Sequence, residues 1–480
     1  MGDSYEQHVV LFPFMSKGHT IPLLHFARLL LLRHNTAVTV FTTPANHPFV
    51  AEFLHGTAAS IIVLPFHTAD GIESTDQLPS MSLFYKFGNS TATMQPYFEN
   101  ALENEITIPR ISFMVTDSFL WWTLQSATKF NVPRFAYFGM SCYSVCLSSE
   151  AVFSGILGGS QPDDELVTLT RFPWIKLCKN DFEAEFRNSE PKSDAYEFNM
   201  NVISAIGGSY GMLVNSFYEL EHVFVDHSNK EYSPKSWCVG PFCLPQYTPN
   251  IHLIRGEKPR WIEWLDEKLK EKGSVLYVAF GSQAEISDEQ LIEMAKGLEE
   301  SMVNFLWVIR KAEWALPDGF EERVQNRGIV VREWVDQREI LMHESIEGFL
   351  SHCGWNSVLE SICAGVPILA WPMMAEQHLN ARMVDEEIKI GLRVETCDGS
   401  VRGFVKSEGL RKSVKELMEG EKGREGRKKV TELADIAKNA VQEGGSSCST
   451  LDLLLQEICT HHKELPPLSN LETIPSNNNI

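Results

Sequence analysis

From Gln7 onward, short apolar runs alternate with helix-length segments. "HVVLFPF", "AVTVFTT", "IIVLPF", "ISFMVTD" and "RFAYFG" are rich in β-branched and aromatic residues and continuously apolar. Parallel strands covered on both faces of a sheet have that pattern. "GMLVNSF" and "WCVG" continue the series, and "PFCLPQYTPN", with three prolines in ten residues, breaks it. The alternation restarts with "SVLYVAFG", "NFLWVIR", "GIVVREW", "EGFLSH", "VPILAWP" and "GLRVE", interleaved with helices such as "SDEQLIEMAKGLEE". Two successive α/β domains, each on a parallel sheet, are predicted over 1–245 and 246–460, with a junction near 241–252 and a cleft between them. Charged segments from Lys406 to Val441 and then "CSTLDLLLQEICT" read as closing helices, the last packing back on the first domain. Residues 461–480 read as a loose tail.

A chain of 480 residues is too long for one ordinary core, which supports two domains. Its formal net charge of -21 repels polyanions and argues against a nucleic-acid partner. Ten cysteines without a repeated Cys-x-x-Cys pair fit reduced thiols better than a disulfide framework. The opening "MGDSYEQHVV" has no basic segment leading into an apolar one, and Glu6 stands where a myristoylation motif needs Ser or Thr. "IPLLHFARLLLL" is short and carries His25 and Arg28, so it reads as a buried helix and not as a membrane span. A monomeric, cytoplasmic protein is expected.

"HCGWNSVLESICAGVP", His352 to Pro367, lies between the strand-like "EGFLSH" and "VPILAWP". Asn356 and Ser357 are ordinary helix-capping residues, and Gly365 with Pro367 is an ordinary helix stop. The setting adds more: strand, glycine turn and helix N-terminus together make a cradle for phosphate. Adjacent His352 and Cys353 point to opposite faces, so no metal site is expected.

The first strand leads to a turn with Gly18 and His19, and Asp117 closes "ISFMVTD". If the two side chains meet, Asp117 fixes the imidazole tautomer and stabilises its protonated form, making His19 a general base. Base in one domain and phosphate cradle in the other is the layout of a group transferase. The rival "GGSYG" at 207–211 matches a nucleophile elbow around Ser209, but the strand comes after it instead of before. No G-x-G-x-x-G follows the first strand and no P-loop motif occurs, which weighs against nicotinamide and P-loop chemistry.

Trp334 to Gln377, "WVDQREILMHESIEGFLSHCGWNSVLESICAGVPILAWPMMAEQ", resembles the 44-residue signature box of plant secondary-product UDP-glycosyltransferases. "FPFMSKGHTIPLLHFARLL", "ISFMVTDSFLWW", "VLYVAFGS" and "GGSS" resemble other segments of that family. The resemblance implies a GT-B fold, two Rossmann-like domains facing a central cleft, with acceptor on the first and UDP-sugar on the second. It further implies that Trp334 stacks on uracil and that Gln337 and Glu360 meet the ribose. Ser282, His352, Asn356 and Ser357 would hold the diphosphate, with Val335 and Gly354 in the same binding set. Trp355, Glu376 and Gln377 would face the sugar.

A helix N-terminus and His352 can neutralise a departing diphosphate without a metal or other cofactor. The expected reaction is an inverting, metal-independent transfer, most simply of glucose from UDP-glucose, to a hydroxyl of a small lipophilic acceptor such as a flavonoid or other phenolic. Phe14, Phe84, Phe119, Trp121, Phe138 and Phe198 are candidates for the acceptor pocket, although such aromatics are more often core. A non-catalytic sugar-nucleotide sensor and an α/β hydrolase are the alternatives.

Overall fold

The computed structural model describes residues 7–33, 36–68, 70–104, 110–187, 193–244, 258–309 and 316–464. The expected domain boundary at 245/246 lies outside the described residues, as does the tail from 465 onward. Residues 461–464 belong to the closing helix Ser446–Glu464, so no loose tail begins at 461.

The first half builds a seven-stranded sheet from β1 (Gln7–Phe12), β2 (Thr36–Thr42), β3 (Ser60–Val63), β4 (Phe113–Asp117) and β5 (Arg134–Tyr137), completed farther along the chain. Between comes a small antiparallel hairpin, β6 (Val167–Thr168) with β7 (Lys176–Leu177), which the hydrophobic pattern does not announce. Then β8 (Gly211–Val214) and β9 (Ser236–Cys238) give the order β3-β2-β1-β4-β5-β8-β9, with every neighbouring pair parallel. The second half forms β10 (Val275–Ala279), β11 (Asn304–Val308), β12 (Gly328–Val331), β13 (Ile346–Ser351), β14 (Ile368–Ala370) and β15 (Gly391–Arg393). Their order is β12-β11-β10-β13-β14-β15, again parallel throughout.

Both faces of each sheet are covered, which is why the strands are continuously apolar. One hydrophobic cluster runs between the domains, from Phe217 and Phe242 to Trp355 and Val358. The helix Ser446–Glu464 returns to the first domain, where Gln7 Nε2 donates to Leu455 O at 3.0 Å and Tyr210 OH to Glu457 at 2.9 Å. No described helix is long and apolar enough to cross a membrane.

In open parallel sheets ligands bind at the carboxyl ends of the strands, where the order reverses. Here those points are β1/β4 in the first sheet and β10/β13 in the second. Phe12 pairs with Thr116 and Ala279 with Ser351, so the turns after these strands start level with one another.

Candidate active site

Past β1, residues 13–16 turn into the helix Lys17–Arg33, which places Gly18 and His19 in its first turn and not in the turn before it. Asp117 ends β4, fully buried, and its Oδ2 lies 2.7 Å from His19 Nδ1. The Phe119 N–H donates to Asp117 Oδ1 at 3.0 Å, so the carboxylate is held from two sides. With Nδ1 committed to Asp117, His19 Nε2 is the nitrogen left to accept a proton. Burial opposes a charged imidazole, but the Asp117 carboxylate, with Glu376 behind it, outweighs burial and raises the His19 pKa above its ordinary value.

Opposite stands the phosphate cradle. Gly281 (φ +72°) and Ser282 follow β10, and His352, Cys353 and Gly354 follow β13. The helix Trp355–Ala364 starts one residue before Asn356, with Gly354 as an N-cap that has no side chain to use. Asn356 and Ser357 are therefore first-turn residues and cap nothing. The first intrahelical bond reaches Gly354 O from Val358 N, so the three preceding N–H groups have no partner within the helix. The helix stops at Gly365 in the left-handed region, φ 71°.

The two glycines give His352 its place. A Cβ on Gly281 would come within 2.9 Å of His352 Nε2, and one on Gly354 within 2.7 Å. Burial, against a backbone contact to Ala279, lowers the His352 pKa to about 4. His352 is therefore neutral near pH 7, with one ring N–H and one bare ring nitrogen.

Ser357 Oγ accepts from Gln337 Nε2 at 2.8 Å, and the same amide donates to Glu360 Oε2 at 2.7 Å. Burial pushes the Glu360 pKa up to about 7 despite the Gln337 bond, so the carboxyl titrates near neutrality. Trp334 is 38% exposed and meets Phe49 of the first domain edge-on, ring centroids 6.1 Å apart. Asn356 Nδ2 donates to Gly18 O, joining the first turns of the two facing helices.

Four expectations change. The Trp355 side chain does not face a sugar: its indole is 2% exposed, packs between the domains and donates to Asn215 O at 2.9 Å, leaving only backbone for the cleft. Val335 likewise puts its side chain into the core, 3% exposed. Gln377 Oε1 accepts the N–H groups of Met373 and Met374, both at 3.0 Å, so a ligand can use only the NH2 side of that amide. Phe14 and Phe198 are fully buried, whereas Phe84, Phe119, Trp121 and Phe138 are half-buried. Phe119 is the hub of these rings, 4.9 Å from His19, 5.4 Å from Phe14 and Phe198, 5.6 Å from Phe84 and 6.4 Å from Phe138. Ser209 serves structure: it follows the helix Asp194–Gly207, precedes β8 and donates to Ala205 O at 2.6 Å, an order that excludes a nucleophile elbow.

Comparison with known proteins gives the family. The profile of the UDP-glucoronosyl and UDP-glucosyl transferase family matches residues 254–439. UDP-glycosyltransferase 90A1 of Arabidopsis thaliana is 54% identical over 95% of this chain and 97% of its own. The chain belongs to the plant family 1 UDP-glycosyltransferases. UDP-glucose flavonoid 3-O-glucosyltransferase 7 of Fragaria ananassa is 33% identical over 94% of this chain and 96% of its own. The solved structure of Phytolacca americana UGT2 with UDP-2fluoro-glucose and pterostilbene superposes with a TM-score of 0.79 at 29% identity, covering 94% of this chain and 99% of that one. The glycosyltransferase thus has the GT-B fold and transfers a sugar from a UDP-sugar.

Two residues of the glycosyltransferase site escape the motifs. Asn380, fully buried, accepts from Ser144 Oγ at 2.8 Å and donates to Cys353 O at 2.9 Å, tying the first domain to the cradle. Its position four residues after Glu376 on one helix was the available signal. Gln283, next to Ser282, donates to Ser16 and Thr75 across the cleft, and nothing in its spacing marks it.

Proposed function

We propose that this UDP-glycosyltransferase moves glucose from UDP-glucose, with inversion and without a metal, to a hydroxyl of a small lipophilic plant metabolite, a flavonoid or other flat phenolic being the favoured class. The observation that carries this reading is the 2.7 Å bond between His19 Nδ1 and Asp117 at the edge of a cleft whose other wall is a helix N-terminus. His19 Nε2 takes the acceptor's hydroxyl proton as that oxygen attacks the anomeric carbon. The bond from that carbon to the diphosphate oxygen breaks, and UDP leaves with the electron pair. Asp117 stabilises the imidazolium formed. A single displacement turns an α-linked donor into a β-glycoside.

Charge on the departing diphosphate falls on the first-turn N–H groups of the helix Trp355–Ala364 beyond Trp355, whose own N–H holds Glu376, and on the Ser282 hydroxyl and the neutral His352 N–H, donors fixed before reaction begins. The rings around Phe119 support a planar acceptor held beside His19. The Fragaria ananassa relative is named for UDP-glucose and flavonoids, and the Phytolacca americana structure holds UDP-2fluoro-glucose with pterostilbene; both favour the same choice here. A mass-spectrometric screen of UDP-glucose against phenolic and terpenoid acceptors tests the assignment, and phenols left unmodified while other classes are glycosylated would overturn the acceptor class.

Trp334→Ala should weaken UDP binding by about 1–3 kcal/mol, the worth of one base-on-aromatic stack. Calorimetry with UDP alone reads this directly, and unchanged affinity would assign the indole to its contact with Phe49.

In competition among equal UDP-glucose, UDP-galactose, UDP-xylose and UDP-glucuronate, the glucoside should dominate. Glu376 accepts and the Gln377 NH2 donates, so the pair can pair with neighbouring sugar hydroxyls only where both find their partners. Gln377→Ala removes that donor and frees two loop N–H groups, so kcat/KM for UDP-glucose should fall by roughly the 1–3 kcal/mol of an unpaired buried group. A different dominant sugar product would contradict the donor assignment.

A further inference from the structure

Behind the loop Trp371–Gln377 lies a cavity of about 700 Å3, within the size range of small-molecule sites. The ends of β14 and β15, the loop 394–403, the start of the helix Asp288–Ser301 and two first-domain residues, Asp164 and Leu166, form its walls. None of the residues assigned above to base, diphosphate, ribose or sugar lines it.

Its charges are unequally engaged. Glu285 accepts from Met81 N at 3.0 Å, Asp164 from Val401 N at 3.3 Å, and Glu395 pairs with Lys412 at 3.8 Å. Arg382 is bound by Asp181 and Glu386, each at 2.8 Å, and Arg402 by Glu183 at 3.0 Å. The Arg393 side chain has no hydrogen bond or close ion pair among the described residues, although its charge reaches Asp385, where burial raises the carboxyl's pKa and Arg393 opposes that rise. Beside it His378, 2% exposed, leaves both ring nitrogens unpartnered. Burial, reinforced by Arg402, Arg393 and Arg382, lowers the His378 pKa to about 2, so the ring is neutral and offers one donor and one acceptor in a positive field. A buried polar group without a partner is costly, and a ligand that supplies the partner recovers that cost.

We propose that this cavity binds a small carboxylate with an apolar body, at a site separate from those for UDP-sugar and acceptor. A planar carboxylate matches the Arg393 guanidinium as a two-bond partner and accepts from His378. Leu166, Ile286, Trp371, Met373 and Val394 receive the hydrocarbon part.

The test is calorimetry on the full chain with sodium benzoate, benzyl alcohol and inorganic phosphate, each with and without saturating UDP. Benzoate should bind one per chain, undisturbed by UDP, and more tightly than benzyl alcohol or phosphate. Arg393→Gln should weaken benzoate by about tenfold or more, the loss of a charge-assisted pair, while UDP affinity stays unchanged and certifies the fold. Absent benzoate binding, displacement by UDP, equal binding of benzyl alcohol, or full affinity in Arg393→Gln would each overturn the proposal. Phosphate bound in preference, with the same dependence on Arg393, would overturn the carboxylate assignment.

Discussion

His19→Ala is expected to cut kcat by roughly 10²–10⁴-fold, the usual worth of a positioned general base, while UDP affinity stays close to that of the unaltered enzyme. The imidazole is anchored through Nδ1 to Asp117, and among the described residues it has no hydrogen bond to a group assigned to the nucleotide, which separates the two readouts. The pH profile sharpens the test. His19 accepts a proton only when neutral, and Asp117 raises its pKa, so the acid limb of kcat/KM should rise through a pH above the ordinary histidine value of about 6.5. Asp117→Asn removes the main raising influence and leaves burial, so that limb should move to lower pH as the plateau falls. A limb that stays in place would mean another group titrates.

The second large effect concerns the join between the domains. Arg382, on the helix Gln377–Arg382 beside the donor-sugar residues, meets Asp181 of the first domain at 2.8 Å with the two side chains 5% and 0% exposed. Burial disfavours the charged guanidinium, but Asp181 outweighs it and holds Arg382 charged. Asp181 also accepts the Cys178 N–H at 2.8 Å. Asp181→Ala leaves that charge buried with only the half-exposed Glu386, so stability should drop by roughly 3–5 kcal/mol. Urea unfolding of the ligand-free chain measures it, and a change below about 1 kcal/mol would show that the pair only offsets its own desolvation.

Much of the architecture is readable before any coordinates because both sheets are parallel and buried on both faces, which forces their strands to be continuous apolar runs. β6 and β7 escape for the opposite reason: two-residue strands carry no period. The site is legible as a set of positions but not as a set of atoms. The signature box brings Trp355 and Val335 to the cleft's edge, yet their side chains turn into the core, and whether an indole points in or out depends on Asn215, far away in the chain. The charge state of His352 depends on burial under two glycine turns, and the Gln377 oxygen on a loop conformation. Asn380 and Gln283 act across the domains, between segments that only the fold brings together.

The proposed transfer is a direct, base-assisted displacement that inverts the anomeric carbon without a metal. The anomeric configuration of the product, read by proton NMR after reaction of UDP-α-glucose with a phenolic acceptor in the presence of a chelator, tests it most directly. A β-glucoside formed at the same rate with and without the chelator is the predicted result; an α-linked product, or a reaction that stops when divalent ions are removed, would contradict it.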